Sequence, residues 1–104
     1  MKLWIDDVRP APSGHVWCKS VEEAKATICV SELHATVHES NRITLIDIDH
    51  DAGDYFSDGG DYIKLLDWLE ETGRSYPIHI HSKNPVGVMN MRAIIEKNGW
   101  TEVR

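Results

Sequence analysis

The sequence predicts a three-layer α/β domain built on a five-stranded parallel sheet. Three observations carry that prediction. Short apolar, β-branched runs alternate with segments of helical periodicity, the order expected of right-handed crossovers onto a parallel sheet. Three of those runs end in acids, histidines or serine, which gathers polar side chains at the carboxyl ends of the strands, where open α/β sheets bind ligands. The length of 104 residues suits one domain, residues 1–104, since domains usually run about 100–200 residues.

The elements follow in order. Residues 2–6, KLWID, form a short apolar run ending in acids and read as a buried strand. DVRPAPSG (7–14) holds two prolines and a glycine, so a loop stands where a first helix would be expected. HVWCK (15–19) is a second strand. Ser20 then opens a helix with Glu23 three residues on, a capping box. Val21, Ala24 and Ile28 recur at helical spacing, with Leu33 a candidate to extend the stripe. Residues 34–42 are polar and fit either a loop or a frayed helical end. ITLIDID (43–49) is the clearest strand. Beyond an Asp/Gly loop, DYIKLLDWLEET (61–72) gathers Ile63, Leu65, Leu66 and Leu69 on one face until Gly73 stops it. YPIHIHS (76–82) is a fourth strand. A third helix over 85–99 begins with Pro85 and ends in Asn-Gly. WTEV (100–103) closes as a fifth strand. The expected sheet order is the flavodoxin-like 2-1-3-4-5.

Charge and composition narrow the function. Eleven basic against seventeen acidic residues leave a net charge of −6. Duplex nucleic acid is therefore not an expected partner, because counterion release needs a Lys/Arg surface. No apolar run is long enough to span a membrane, and Asp6 interrupts the N-terminal run too early for a signal peptide, so a cytoplasmic protein is expected. Cys18 and Cys29 follow no metal or redox spacing and read as reduced thiols. Trp4, Trp68 and Trp100 are expected to pack in the core. Tyr55 and Phe56, in the acid loop, are expected to be exposed and available to cover a ligand or a partner. Gly59-Gly60 matches no nucleotide-cradle motif.

Between Arg42 and Lys64 there is no basic residue, but there are six acids, all Asp. Asp6 and Asp7 with Asp47 or Asp49 form an oxygen-rich set suited to Mg²⁺ or Mn²⁺, with Zn²⁺ a further option where imidazoles join. Strand-end acids can instead merely cap loops; two clusters on neighbouring strands favour the cation. The spacing of Asp47, Asp49 and Asp51 resembles the start of an EF-hand loop, but Ala52 and Asp58 stand where that loop needs Gly and Glu. His79 and His81, one residue apart, share a side of their strand. Imidazoles there suit metal binding or proton exchange around a phosphate. The competing expectation makes one of them, the deeper His79, a hydrogen-bonded core residue. His50, between two aspartates, is a further ligand or acid/base candidate. His15, His34 and His38 have no clustered partners and read as surface residues. Ser82, Asn84 and the amides opening the helix at Pro85 offer donors to a phosphate, although Asn84 serves equally as a plain cap. Asp51, Arg9 and Lys83 complete the candidate substrate-binding set.

Taken together, these motifs resemble a response-regulator receiver domain. Asp6 and Asp7 match its acidic pair, Asp47 its phosphoacceptor, and Ser82 the hydroxyl residue ending strand four. The pattern departs from a receiver in the proline loop, in the absence of Lys-Pro after the fifth strand, and in His79 and His81 where receivers carry apolar residues. DDVRP (6–10), IDIDHD (46–51) and HIHSKNPVG (79–87) are similar to a divergent receiver-like family described as cyclic-phosphate-processing receiver domains. That resemblance implies binding or hydrolysis of a small cyclic phosphate. Aspartates 6, 7, 47 and 49 would hold the metal, and His81, helped by His79 or His50, would exchange protons. The alternatives are a receiver phosphorylated on Asp47 and a pseudo-receiver that binds a partner through its acidic rim.

Overall fold

The strands are short and alternate between apolar and polar positions, and that alternation decides the architecture. In the computed structural model, which describes residues 1–104, β1 (Lys2–Ile5), β2 (His15–Cys18), β3 (Leu45–Ile48) and β4 (Ile78–Ile80) form a parallel sheet in the order β2-β1-β3-β4. Trp4 pairs with Trp17 on one side and Asp47 on the other, and Asp47 pairs with His79. Because successive side chains point to opposite faces, Leu3, Ile5, Cys18, Ile46, Ile48 and Ile78 share one face and are buried. Lys2, Trp4, His15, Trp17, Asp47 and His79 share the other.

Three helices cover the apolar face: α1 (Val21–Ala35), α2 (Ile63–Glu71) and α3 (Pro85–Asn98). The Ser20 hydroxyl accepts from Glu23 N at 3.0 Å while the Glu23 carboxylate accepts from Lys19 N at 3.2 Å, which fixes the start of α1. Val21, Ala24 and Ile28 of α1, Leu65, Leu66 and Leu69 of α2, and Met91 and Ile95 of α3 join the inward strand residues in one buried cluster. Leu33 does not extend the stripe: it is 68% exposed, and the buried position after Ile28 is Ser31, whose hydroxyl donates to Asn41 O. Leu33 lies five residues past Ile28, over a third of a turn off the stripe. Residues 39–41 and 53–58 form short 3₁₀ turns.

Three features of the predicted architecture change. The sheet has four strands rather than five. Past Gly99, only Glu102 bridges to Ile78, flanked by Ile78 N to Thr101 O at 3.0 Å and Val103 N to Ile78 O at 2.7 Å. The domain also has two layers, not three. The connections β2–β3 and β3–β4 step across the sheet in the same direction, so right-handed crossovers place α1 and α2 on one face. The β1–β2 connection steps the opposite way and would carry a helix to the other face, but residues 6–14 form no helix. The first helix of the chain, α1, is full length and follows β2, and nothing between β1 and β2 marks a reduced helix. Finally, Trp4 is not a core residue. It alternates with Leu3 and Ile5 and so stands half-buried on the bare face, whereas Trp68 and Trp100 do pack against the core.

Candidate functional site

The carboxyl ends of β1, β3 and β4 bring four side chains into one hydrogen-bonded chain. The Asp6 carboxylate (Oδ2) lies 2.9 Å from His81 Nε2. His81 Nδ1 lies 2.6 Å from Asp47 Oδ1, and His79 Nδ1 lies 2.9 Å from the same oxygen. The order is therefore Asp6, His81, Asp47, His79. Asp6 is placed by an Asx turn, its Oδ1 accepting from Val8 N at 3.0 Å and Arg9 N at 2.9 Å. Trp4 lies flat against the His81 ring, with centroids 3.9 Å apart and planes 4° from parallel. The Trp4 indole donates to Arg9 O, and an Arg9 guanidinium nitrogen reaches His81 O at 3.5 Å. Every buried side-chain nitrogen and oxygen has a partner.

The electrostatics follow from this geometry. A ring with a carboxylate on each nitrogen donates to both only as the imidazolium. Burial opposes that charge on His81, but the hydrogen bonds it donates to Asp47 and Asp6 outweigh it and raise its pKa above the ordinary value. Burial likewise works to raise the pKa of Asp6, and the Arg9 amide, His81 and the Val8 amide overcome it to hold that carboxyl low. Asp47 is held low in the same way, burial being outweighed by His81 and then His79. Asp7 goes the other way: burial, then the neighbouring charges of Asp6 and Asp49, push it up. Asp7 also packs tightly on the acid loop, where a Cβ on Gly53 (φ +55°) would clash with its carboxylate oxygen. The buried Tyr62 hydroxyl donates to Lys19 O and is raised by burial and by the charges of Asp7, Asp6 and Asp49.

The expected depths of the two histidines are reversed. His81 has only 8% of its side chain exposed, against 36% for His79. The strand ends at Ile80, and His81 folds back between Asp6 and Asp47. His79 keeps one ring nitrogen clear of the network on the bare face.

The remaining candidates form a second group. His50 Nδ1 lies 2.7 Å from Asp51 Oδ1. Asn84 caps α3 by accepting from Gly87 N at 3.0 Å, while its amide nitrogen lies 3.4 Å from Asp51 Oδ1 and 3.5 Å from His50 Nδ1. The Ser82 hydroxyl accepts from Asn84 N and so shapes the turn into α3. Lys83 is exposed. Gly87 allows α3 to lie against His50, since a Cβ there would come 2.5 Å from the imidazole. Sequence reading missed Trp4, Gly53, Gly87 and Asp61 as parts of the two groups. The signal for Trp4 lay in its parity with Leu3 and Ile5.

Two donor sets suit a metal ion: Asp6, Asp49 and His81, and His50, Asp51 and Asp61, each with ligand atoms within 4.8 Å of one another. Asp7 and Asp47 belong to neither. The first set fits a divalent ion chemically. Its two carboxylates and one imidazole match Mn²⁺ or Zn²⁺ better than an all-oxygen Mg²⁺ site. A metal there would replace the proton that His81 shares with Asp6.

No helix is long and apolar enough to cross a membrane. Neither a curated protein nor a solved structure matches the chain. The model of the cyclic-phosphate processing receiver domain family does match it, over residues 1–97. With the parallel sheet and the Asp6, Asp47 and histidine cluster at its rim, the chain belongs to that family.

Proposed function

We propose that this chain is a single cytoplasmic domain that binds and hydrolyses a small cyclic phosphate at the rim formed by β1, β3 and β4. The observation that carries the proposal is the Asp6–His81–Asp47–His79 chain. Asp47 accepts the Nδ1 proton of His79, which leaves Nε2 as the basic nitrogen and fixes the ring, the arrangement of a carboxylate-oriented general base. His79 therefore takes a proton from the attacking water and returns one to the leaving oxygen. This shifts the leading role from His81 to its neighbour. His81, clamped by two carboxylates and by Trp4, holds Asp47 in place and, with no metal bound, supplies a positive charge.

Arg9 and Lys83 supply exposed cations for the phosphate. The turn from Ser82 to Asn84 and the His50–Asp51 pair frame its far side. Asp6, Asp49 and His81 are the residues that would hold a divalent metal, with Asp7 and Asp47 beside them. A bound metal supplies neutralisation of phosphate oxygens and a more acidic water. Phosphorylation of Asp47 ranks second, because that carboxylate is buried and one oxygen already accepts from two imidazoles.

The test is a hydrolysis screen over 2′,3′-cyclic, 3′,5′-cyclic and cyclic oligonucleotide phosphates, with and without Mg²⁺, Mn²⁺ or Zn²⁺. Turnover of at least one class, lost in His79→Ala, is the expected result. No turnover and no binding of any class, together with a stable acetyl-phosphate adduct on Asp47 by intact mass, overturns it in favour of the signalling alternative.

A further inference from the structure

The bare face of the sheet runs directly into the site, and its composition points to the part of the ligand that is not phosphate. Trp4 and Trp17 are paired in register on adjacent strands of this face, half-buried and outside the core cluster. Both indole nitrogens are tied down: Trp4 donates to Arg9 O and Trp17 to Asp6 O, each at 2.7–2.8 Å. The rings are thus held by the loop after β1; His81 takes one face of Trp4 and the Lys19 ammonium stands over one face of Trp17, so a ligand would use the remaining face. Trp4 also stacks on His81, so the platform is continuous with the site.

The charges that this face leaves unpaired are mostly cationic. In a protein of net charge −6, Lys2 alternates onto this face. Lys19 lies with its ammonium 4.5 Å from the Trp17 ring centre, and His15 meets Trp4 edge-on. Of the carboxylates that alternate onto the same face, Asp6 and Asp47 are buried and paired to histidine, which leaves Asp49 at the rim. Aromatic surfaces flanked by cations on an open sheet are what stacked bases with a phosphate require. From Trp4 to His79 is two strand spacings, about 10 Å between backbones. Asp47 and the His81 ring floor that span, and a ribose laid across them would join a stacked base to a phosphate at His79.

We propose that the ligand is a nucleoside cyclic monophosphate whose base lies on the Trp4–Trp17 platform while its cyclic phosphate reaches His79. This rests on the processing role proposed above and names the substrate class.

The test compares kcat/KM and Kd for adenosine 2′,3′-cyclic and 3′,5′-cyclic phosphate with those for the matching methyl riboside cyclic phosphates, which lack only the base. The expected result is a preference for the nucleoside of about tenfold or more, the size of one base–aromatic stack. Trp17→Leu should bring that ratio toward one and Trp17→Phe should restore most of it, with melting curves checking that both variants fold. Base-free and nucleoside ligands handled equally by the wild type would overturn the platform and leave the processing role intact. If neither kind binds or turns over, the processing role itself falls, and the platform with it.

Discussion

The two faces of the sheet are made from the same four strands and have opposite characters. The inward face carries Leu3, Ile5, Cys18, Ile46, Ile48 and Ile78, all buried under three helices. The outward face carries tryptophans, lysine, histidines and a buried aspartate, with no helix over it. Parallel sheets are ordinarily covered on both sides, and the bare side here is the one that bears the Asp6–His81–Asp47–His79 network. Alternate residues of each strand thus divide the labour. One set makes the domain fold, and the other set holds polar groups that contribute little to the core but are fixed by hydrogen bonds to one another.

The sharpest way to break that division is to change one residue on each face of neighbouring strands. His79→Ala should lower turnover of a cyclic phosphate by about 10²–10⁴-fold, the loss of a general base. Its effect on stability should stay below about 1.5 kcal/mol, one hydrogen bond, since Asp47 keeps His81. Ile48→Ala should do the reverse, costing about 2–5 kcal/mol in denaturant unfolding while the folded fraction retains its turnover. If both variants lose stability and activity alike, the two faces are not separable.

Much of this division was legible in the sequence. The strands, the capping box at Ser20 and Glu23, and the gathering of Asp6, Asp47 and His81 at strand ends all follow from apolar alternation and the carboxyl-end rule. The number of layers was legible in principle too. Only the β1–β2 connection steps toward the opposite face, and its prolines forbid a helix. Trp4 stays out of the core because its parity with Leu3 and Ile5, and not its apolar bulk, decides which face it joins. The closing strand failed because Thr101–Arg104 offers a single bridge and no buried side chain. What no local pattern could reveal is the insertion of His81 between Asp6 and Asp47. That depends on a ring from β4 crossing over β3 to reach the end of β1 and lie on Trp4.

The charge state of that inserted ring gives a smaller, pH-resolved effect. His81 is raised, so its stabilising contribution is complete below the unfolded histidine value, about 6.5, and is lost as pH rises through the folded value. Asp6 and Asp47 are lowered, so theirs is complete above about 3.9 and is lost as pH falls through their folded values. Chelator-treated protein should be most stable between about pH 4 and 6.5, losing about 1.5–3 kcal/mol above neutrality. His81→Gln should remove the alkaline decline. A wild-type melting temperature that stays flat from pH 6 to 9 would show that His81 is not the clamped cation. None of this should appear in Ile48→Ala relative to wild type, because the titratable groups of the helix-covered core, Cys18 and Tyr62, are raised by burial and stay neutral across this range.

The smallest expected effect belongs to Asp7, a rim carboxylate that its surroundings raise on balance, despite a backbone hydrogen bond that works to lower it. Burial raises it, and the charges of Asp6 and Asp49 raise it further; neither histidine of the network is bonded to it. For a raised carboxylate the sign is the reverse of that for Asp6. Stability is highest where Asp7 is protonated and is lost as pH climbs from the unfolded to the folded value. Asp7→Asn removes the charge and keeps the shape, so the tight fit against Gly53 survives. Metal-free protein should therefore gain stability at pH 7, by less than about 1 kcal/mol, and the gain should vanish near pH 3, where the wild-type carboxyl is also neutral. If Asp7 sits beside a bound divalent ion, the same substitution should shrink the rise in melting temperature that Mn²⁺ or Zn²⁺ gives the wild type. A loss of stability at pH 7 in Asp7→Asn would mean that Asp7 has a charged partner at the rim, and the separation of a self-satisfied His81 network from a strained Asp7 would not hold.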